Sequence, residues 1–251
     1  MIIKMSDTMN NNKNTIQKPE FLECERNRVF ILMICVAGFF GGYTYSCRGG
    51  VFCNAQTANF VLFGISVGTA DWKTALYYVI PMISYLAGTI ISEILPNPIK
   101  KLTHIRWDTL FVLFEMIVIL TIGFIPDSAP VQICHIIINF ICAMQYNTFR
   151  NAENIPAATT FCTAHTRALG VYLKKWFMHR TNKEYLKMWL FHAGMILSFT
   201  IGATAAAFLC RYFGVKAIWF AEILLGIVFA DLIYADLTKE KNLINKVPHG
   251  H

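Results

Sequence analysis

The residues best equipped for chemistry are polar side chains embedded in apolar sequence. Asn54, Gln56, Thr57 and Asn59 fall within the string NAQTAN, and Thr159, Thr160, Thr163 and His165 form a second cluster in the other half of the chain. Amides and hydroxyls donate and accept without fixed charge, a set suited to holding a small polar or ionic solute. The competing use is hydrogen bonding of helix to helix. Arg48 and Arg150 each close an apolar run, where a guanidinium can attract an anion or hold a carboxylate, or simply snorkel to the membrane surface. Glu153, three residues beyond Arg150, is the expected partner. Glu115 and Glu222 lie inside apolar runs, where the ionised carboxylate is costly. Both are candidates for proton coupling or for a structural hydrogen bond from a neutral carboxyl.

Other chemistries find no support. Gly64, Ser66 and Gly68 match GxSxG, but that motif works only at a strand-to-helix turn with histidine and acid partners. HExxH, a glycine-rich phosphate loop and nucleotide signatures are missing from the sequence. The eight cysteines have no CxxC spacing and behave as small apolar residues. His135, His165 and His192 lack a helical metal-ligand spacing. The expectation is therefore no catalytic residues, no metal and no cofactor. The net charge of +7 fits Lys and Arg gathered at helix ends better than a nucleic-acid surface.

The elements that must position these residues are set by composition. The chain of 251 residues is 55% hydrophobic and 15% charged, against roughly 25% charged in soluble domains. Apolar runs at 29–47, 75–95, 110–125, 131–149, 188–210 and 217–234 approach the ~20 residues a helix needs to cross a bilayer. An all-α, polytopic helical membrane protein follows. Residues 1–28 lack the apolar core and cleavage site of a secretory signal and are expected as a flexible cytoplasmic tail, with a polar C-terminal tail at 237–251.

An internal repeat organises the middle. Residues 44–48 align with 146–150. Asn54, Thr57, Ala58, Asn59 and Gly64 align with Thr160, Thr163, Ala164, His165 and Gly170. Ser84 and Gly88 align with Ser198 and Gly202, and Glu115 with Glu222. Each copy has an apolar span, a mixed segment (51–67 or 155–173) and two more spans. If the mixed segments turn back, six spans form two inverted repeats, and 18 of the 22 Lys and Arg fall on the cytoplasmic side. An eight-span arrangement places 14 there, so the positive-inside bias favours six. The segment 51–67 would reach only about 26 Å as a helix, and its amides must face protein or water rather than lipid. Both mixed segments are thus expected as re-entrant or broken helices, with Gly41, Gly42, Gly49, Gly50 and Pro156 permitting the breaks.

NAQTAN with its preceding Arg-Gly-Gly, and MQYNTFR followed by TTFCTA, resemble the YoaK-like family of small bacterial integral membrane proteins over about residues 30 to 235. Where that family has glycine, this chain has Ala58 and Ala164, and His165 follows the second, which marks it as divergent. The resemblance implies about six spans and a bacterial inner-membrane location, and supplies no substrate.

The combined reading is two inverted three-span repeats, 29–125 and 131–236, with both termini cytoplasmic in a multi-pass cell-membrane protein. The expected function is a small secondary transporter or channel-like permease for a small polar or anionic solute, with a homodimer as one arrangement for so small a carrier. A nonenzymatic membrane scaffold or partner-binding protein is the alternative.

Overall fold

Apolar sequence without strand-forming alternation satisfies its backbone within each segment by coiling into helices. In the computed structural model, which describes residues 21–102, 104–244 and 246–249, each apolar run forms a helix. These are α1 (Asn27–Cys47), α3 (Trp72–Ile94), α5 (Trp107–Ile122), α6 (Val131–Thr148), α8 (Lys183–Phe213) and α9 (Ala221–Leu237). The two mixed segments supply α2 (Gln56–Gly68) and α7 (Thr163–Met178), and α4 (Pro96–Leu102) links α3 to α5. Among the described residues, the stretches Asn27–Cys47, Trp72–Ile99 and Lys183–Leu237 are long and apolar enough to cross a membrane. The third runs through α8, a 3-10 turn and α9.

Helix partners change over from one half to the other. α1 packs on α8 and α3 on α6, α2 lies on α3 as α7 lies on α8, and α5 meets α9. Small residues bring the long helices into backbone contact, as membrane helices without a hydrophobic driving force require. A Cβ at Gly38 would stand 2.0 Å from the Phe199 carbonyl oxygen, and one at Gly202 1.9 Å from that of Cys35. In the second pairing, a Cβ at Gly88 would stand 2.4 Å from the Phe140 oxygen. Gly42 likewise abuts Ala203. Gly41 and Gly42 therefore lie within α1, Gly42 at a helix contact, rather than at a break. The break after α1 falls at Gly49 and Gly50, whose φ values of 86° and 73° lie where glycine alone is unstrained.

Parts of both polar tails are packed against the helix ends. Leu22 to Glu25 are buried. The backbone N–H of Glu23 donates to Glu240 (2.6 Å), that of His249 to Glu25 (2.7 Å), and that of Arg106 to Asp236 (3.0 Å). The Arg106 guanidinium reaches Asp108 and the carbonyls of Leu243 and Lys246. Glu23, Glu25, Arg106, Asp108, Asp236 and Glu240 are buried together in an ionic cluster at one end of the helices. Their carboxylates find arginine and backbone partners that distant segments supply. Residues 1–20 lie outside the described part.

Candidate polar site at the two helix breaks

The chain leaves α1 through Gly49 and Gly50 and turns inward at Asn54. Its Nδ2 donates to the Ala37 carbonyl of α1 (3.2 Å) and to the Thr160 carbonyl (2.9 Å) of the other half. The second break begins with a two-residue antiparallel ladder, β1 (Asn151–Ala152) with β2 (Ile155–Pro156). Glu153 and Asn154 turn it at positive φ, and the chain then bends at Thr159 and Thr160, both buried in the interior. Gln145 of α6 clamps that stretch from the opposite side, donating to Thr159 O (3.2 Å) and Met33 O (3.0 Å). Asn54 and Gln145 thus each tie α1 to the second break. Both broken segments meet within the protein, as their polarity requires.

Two helices begin at this meeting point. α2 starts at Gln56, α7 at Thr163, and neither N-cap residue, Ala55 or Cys162, caps its helix with a side chain. Helix N-termini present N–H groups and the positive end of the dipole, which favours an anion or the negative end of a solute. Beside them, the Thr159 Oγ1, Thr160 Oγ1 and Gln145 Oε1 atoms are buried with no hydrogen-bond partner. Buried polar atoms are ordinarily paired, so this concentration at one junction is chemically informative.

The first half extends a chain of hydrogen bonds away from the junction. Gln56 donates to Asn139 Oδ1 and accepts from Asn59 (3.4 Å). Asn139 donates to the His135 carbonyl, whose ring bridges the Tyr77 hydroxyl (3.0 Å) and the Arg48 carbonyl (2.5 Å). In the second half His165, aligned with Asn59, is 1% exposed. Its Nε2 donates to Ala158 O (2.7 Å), and its Nδ1 lies 2.9 Å from His192 Nδ1. With one proton on His165 already committed to a carbonyl, the neutral pair uses the His192 Nδ1–H as the donor.

Several expected site residues stand elsewhere. Thr57 and Thr163 are exposed on α2 and α7, each two residues before the buried Asn59 and His165 and so on the opposite side of its helix. Arg48 is buried and spends its donors on Tyr43 Oη (3.0 Å) and the carbonyls of Ile125 (2.7 Å) and Pro126 (3.3 Å), so it ties α1 to the end of α5 rather than facing an anion. Arg150 bonds Asn147 and Glu93, not Glu153. Glu153 instead accepts from Asn27 (2.8 Å) and lies 3.8 Å from Arg26. Arg150 nonetheless lines a cavity of about 360 Å³ with Tyr146, Pro156 and Ala158, outside the second break. Gly64, Ser66 and Gly68 lie within helical α2, where Ser66 bonds the Leu62 carbonyl.

Glu115 on α5 is fully buried, with neither carboxyl oxygen partnered, and Glu222 Oε1 on α9 is also buried and unpartnered. The helices that carry them, α5 and α9, pack against each other. Sequence reasoning missed Asn139 and Gln145, the amides of α6 that hold both breaks. Asn139 had a signal, since it stands four residues from His135 and so shares its helix face.

No solved structure matches the chain. A curated relative, the UPF0700 transmembrane protein YoaK of Bacillus subtilis (strain 168), is 23% identical over 192 residues, covering 72% of this chain and 83% of the relative. A family model described as "Protein of unknown function (DUF1275)" matches residues 29–230. The chain is therefore a member of the DUF1275 family of membrane proteins.

Proposed function

We propose that the protein is a small secondary transporter or channel-like permease for a small polar or anionic solute, held at the junction of the two breaks. Six spans in two inverted repeats carry the site, with both termini cytoplasmic. The exchange of helix partners between halves supports this reading, since α1–α8 and α3–α6 are equivalent pairs under the repeat alignment. The observation that carries it is the set of buried, unpartnered atoms of Thr159, Thr160 and Gln145 beside two uncapped helix starts. Discontinuous helices meeting at a repeat interface serve solute sites in many carriers. Asn54, Gln56, Asn59 and His165 shape the surrounding wall, and Glu115 and Glu222 are the proton-binding pair if uptake is coupled to a pH gradient.

The test is a thermal-shift series on the detergent-purified protein with small inorganic anions, carboxylates and neutral polar solutes. A specific solute raises the melting temperature by mass action. The double variant T159V/T160V keeps side-chain volume and removes two hydroxyls that have no partner, so it should fold and lose that shift. Retained shifts in the variant reject the site. Absence of any shift, with folding lost in the variant, assigns the cluster to helix adhesion in a nonenzymatic scaffold. Single-cysteine labelling tests the topology, with position 73 outside and position 150 cytoplasmic.

A further inference from the structure

α7 bears a chemistry that its counterpart α2 lacks. From residue 154 to residue 183 the chain contains no Asp or Glu, while Arg167, Lys174, Lys175, Arg180 and Lys183 fall within that stretch. Two of these cations are engaged with rings: Lys175 lies 5.3 Å from Tyr172 and 5.7 Å from Tyr185, and Arg180 lies 5.4 Å from Phe177. Arg167 and Lys174 are different. Both are exposed, and among the described residues neither belongs to an ion pair.

Arg167, Val171, Lys174 and Met178 are spaced by four, three and four residues, which sets them in one stripe along a helix. That stripe borders a groove of about 660 Å³. Gly170 leaves its floor open, because a Cβ there would meet nothing within 4 Å. Val171, Phe177 and Met178 are exposed large apolar side chains on the same helix. Trp176 stacks on Trp189 at the same end, 6.2 Å between ring centroids, the aromatic signature of a membrane–water interface. Unpaired cations alternating with exposed apolar side chains complement one kind of molecule: a negative phosphate carrying hydrocarbon.

We propose that the outward groove of α7, between Arg167 and Lys174, binds the headgroup of an anionic phospholipid with its acyl chains along Val171 and Met178. Two cations one above the other bracket a phosphodiester, and the apolar residues between them receive the chain that a free phosphate lacks. A zwitterionic lipid would bring its own ammonium against Lys174 and Lys175, and is disfavoured by that repulsion.

The full chain is tested in mixed micelles holding phosphatidylglycerol and phosphatidylcholine of identical acyl chains, with lipid retention read by native mass spectrometry. Phosphatidylglycerol should be retained selectively, and its retention should fall roughly tenfold in R167Q/K174Q, where two surface cations are lost. The charge-preserving R167K/K174R should bind as the wild type does. K183Q/K187Q removes the same charge outside the groove and should leave retention intact. Unchanged retention in R167Q/K174Q overturns the proposal, and so does an equal fall in K183Q/K187Q, which would mean diffuse attraction. Full displacement by glycerophosphate would also overturn it, in favour of a site for free phosphate. Because both positions are exposed, R167Q/K174Q should melt as the wild type does in phosphatidylcholine alone.

Discussion

The two broken segments share a backbone plan and differ in chemistry. α2 holds no charged residue, and its inward amides are locked by Asn139 and Gln56 into a continuous hydrogen-bond chain. α7 starts from an equivalent break but carries His165 against His192 on its inner side and unpaired cations on its outer side. The contrast extends to the carboxyls, for Glu115 is fully buried whereas Glu222 is partly exposed. Positions that align between the halves thus meet different surroundings, with Asn59 in a chain of amides and His165 against a second histidine.

The largest effects should come from the glycines that set the two helix pairings. Gly202→Val would drive a side chain into the backbone of α1, with the Cys35 oxygen 1.9 Å away, and should cost about 3 kcal/mol or more, beyond ordinary overpacking. Gly88→Val should do the same at α6. Gly64→Val, on an open face of α2, should leave the melting temperature nearly unchanged. Tolerance of valine at 202 but not at 88 would break the equivalence of the halves.

Asn54 and Gln145 come next. Each donates to two buried backbone carbonyls, so Asn54→Ala and Gln145→Ala should each cost about 1–3 kcal/mol. Both hold the stretch at Thr159 and Thr160, so the double variant should depart from additivity by at least about 0.5 kcal/mol. Strict additivity in urea titrations would mean that the two breaks do not act as one junction.

The carboxyl pair sharpens the comparison further. Glu115→Gln and Glu222→Gln preserve side-chain size, and both variants should fold. For the proposed carrier with proton coupling, uptake driven by a pH gradient in reconstituted vesicles should be lost in Glu115→Gln, whose environment is the drier, and only reduced in Glu222→Gln. Unchanged uptake in both and in the double variant excludes the pair as the coupling site.

The smallest effect concerns Glu240 of the terminal cluster. Burial pushes the Glu240 carboxyl up to about 7, against lowering by the Glu23 N–H and Arg106. The folded protein therefore holds a proton there that the unfolded chain releases above its ordinary value near 4.5. Its stabilising contribution is complete below that value and is lost as pH rises towards 7. Glu240→Gln should flatten the decline in melting temperature between pH 5 and pH 7 by a small margin, and an unaltered pH profile would remove Glu240 from the account.

Helix positions were legible in the sequence because a bilayer allows a long apolar run little besides a helix, and this holds whatever the neighbours are. The need for a break at NAQTAN was equally local, since its amides cannot face lipid. That Asn54 would reach Thr160 followed from pairing polar segments across an interface. Partner choice over distance was not legible. Arg150 bonds Glu93 and not the nearby Glu153, Arg48 is saturated by the carbonyls after α5, and the C-terminal segment returns to cover Arg106. Those outcomes depend on which helices can approach closely enough, and that is decided by backbone contacts such as Gly202 on Cys35. The sequence by itself determined where helices form and where they must break; only tertiary packing decided which polar groups were satisfied and which were left open at the junction.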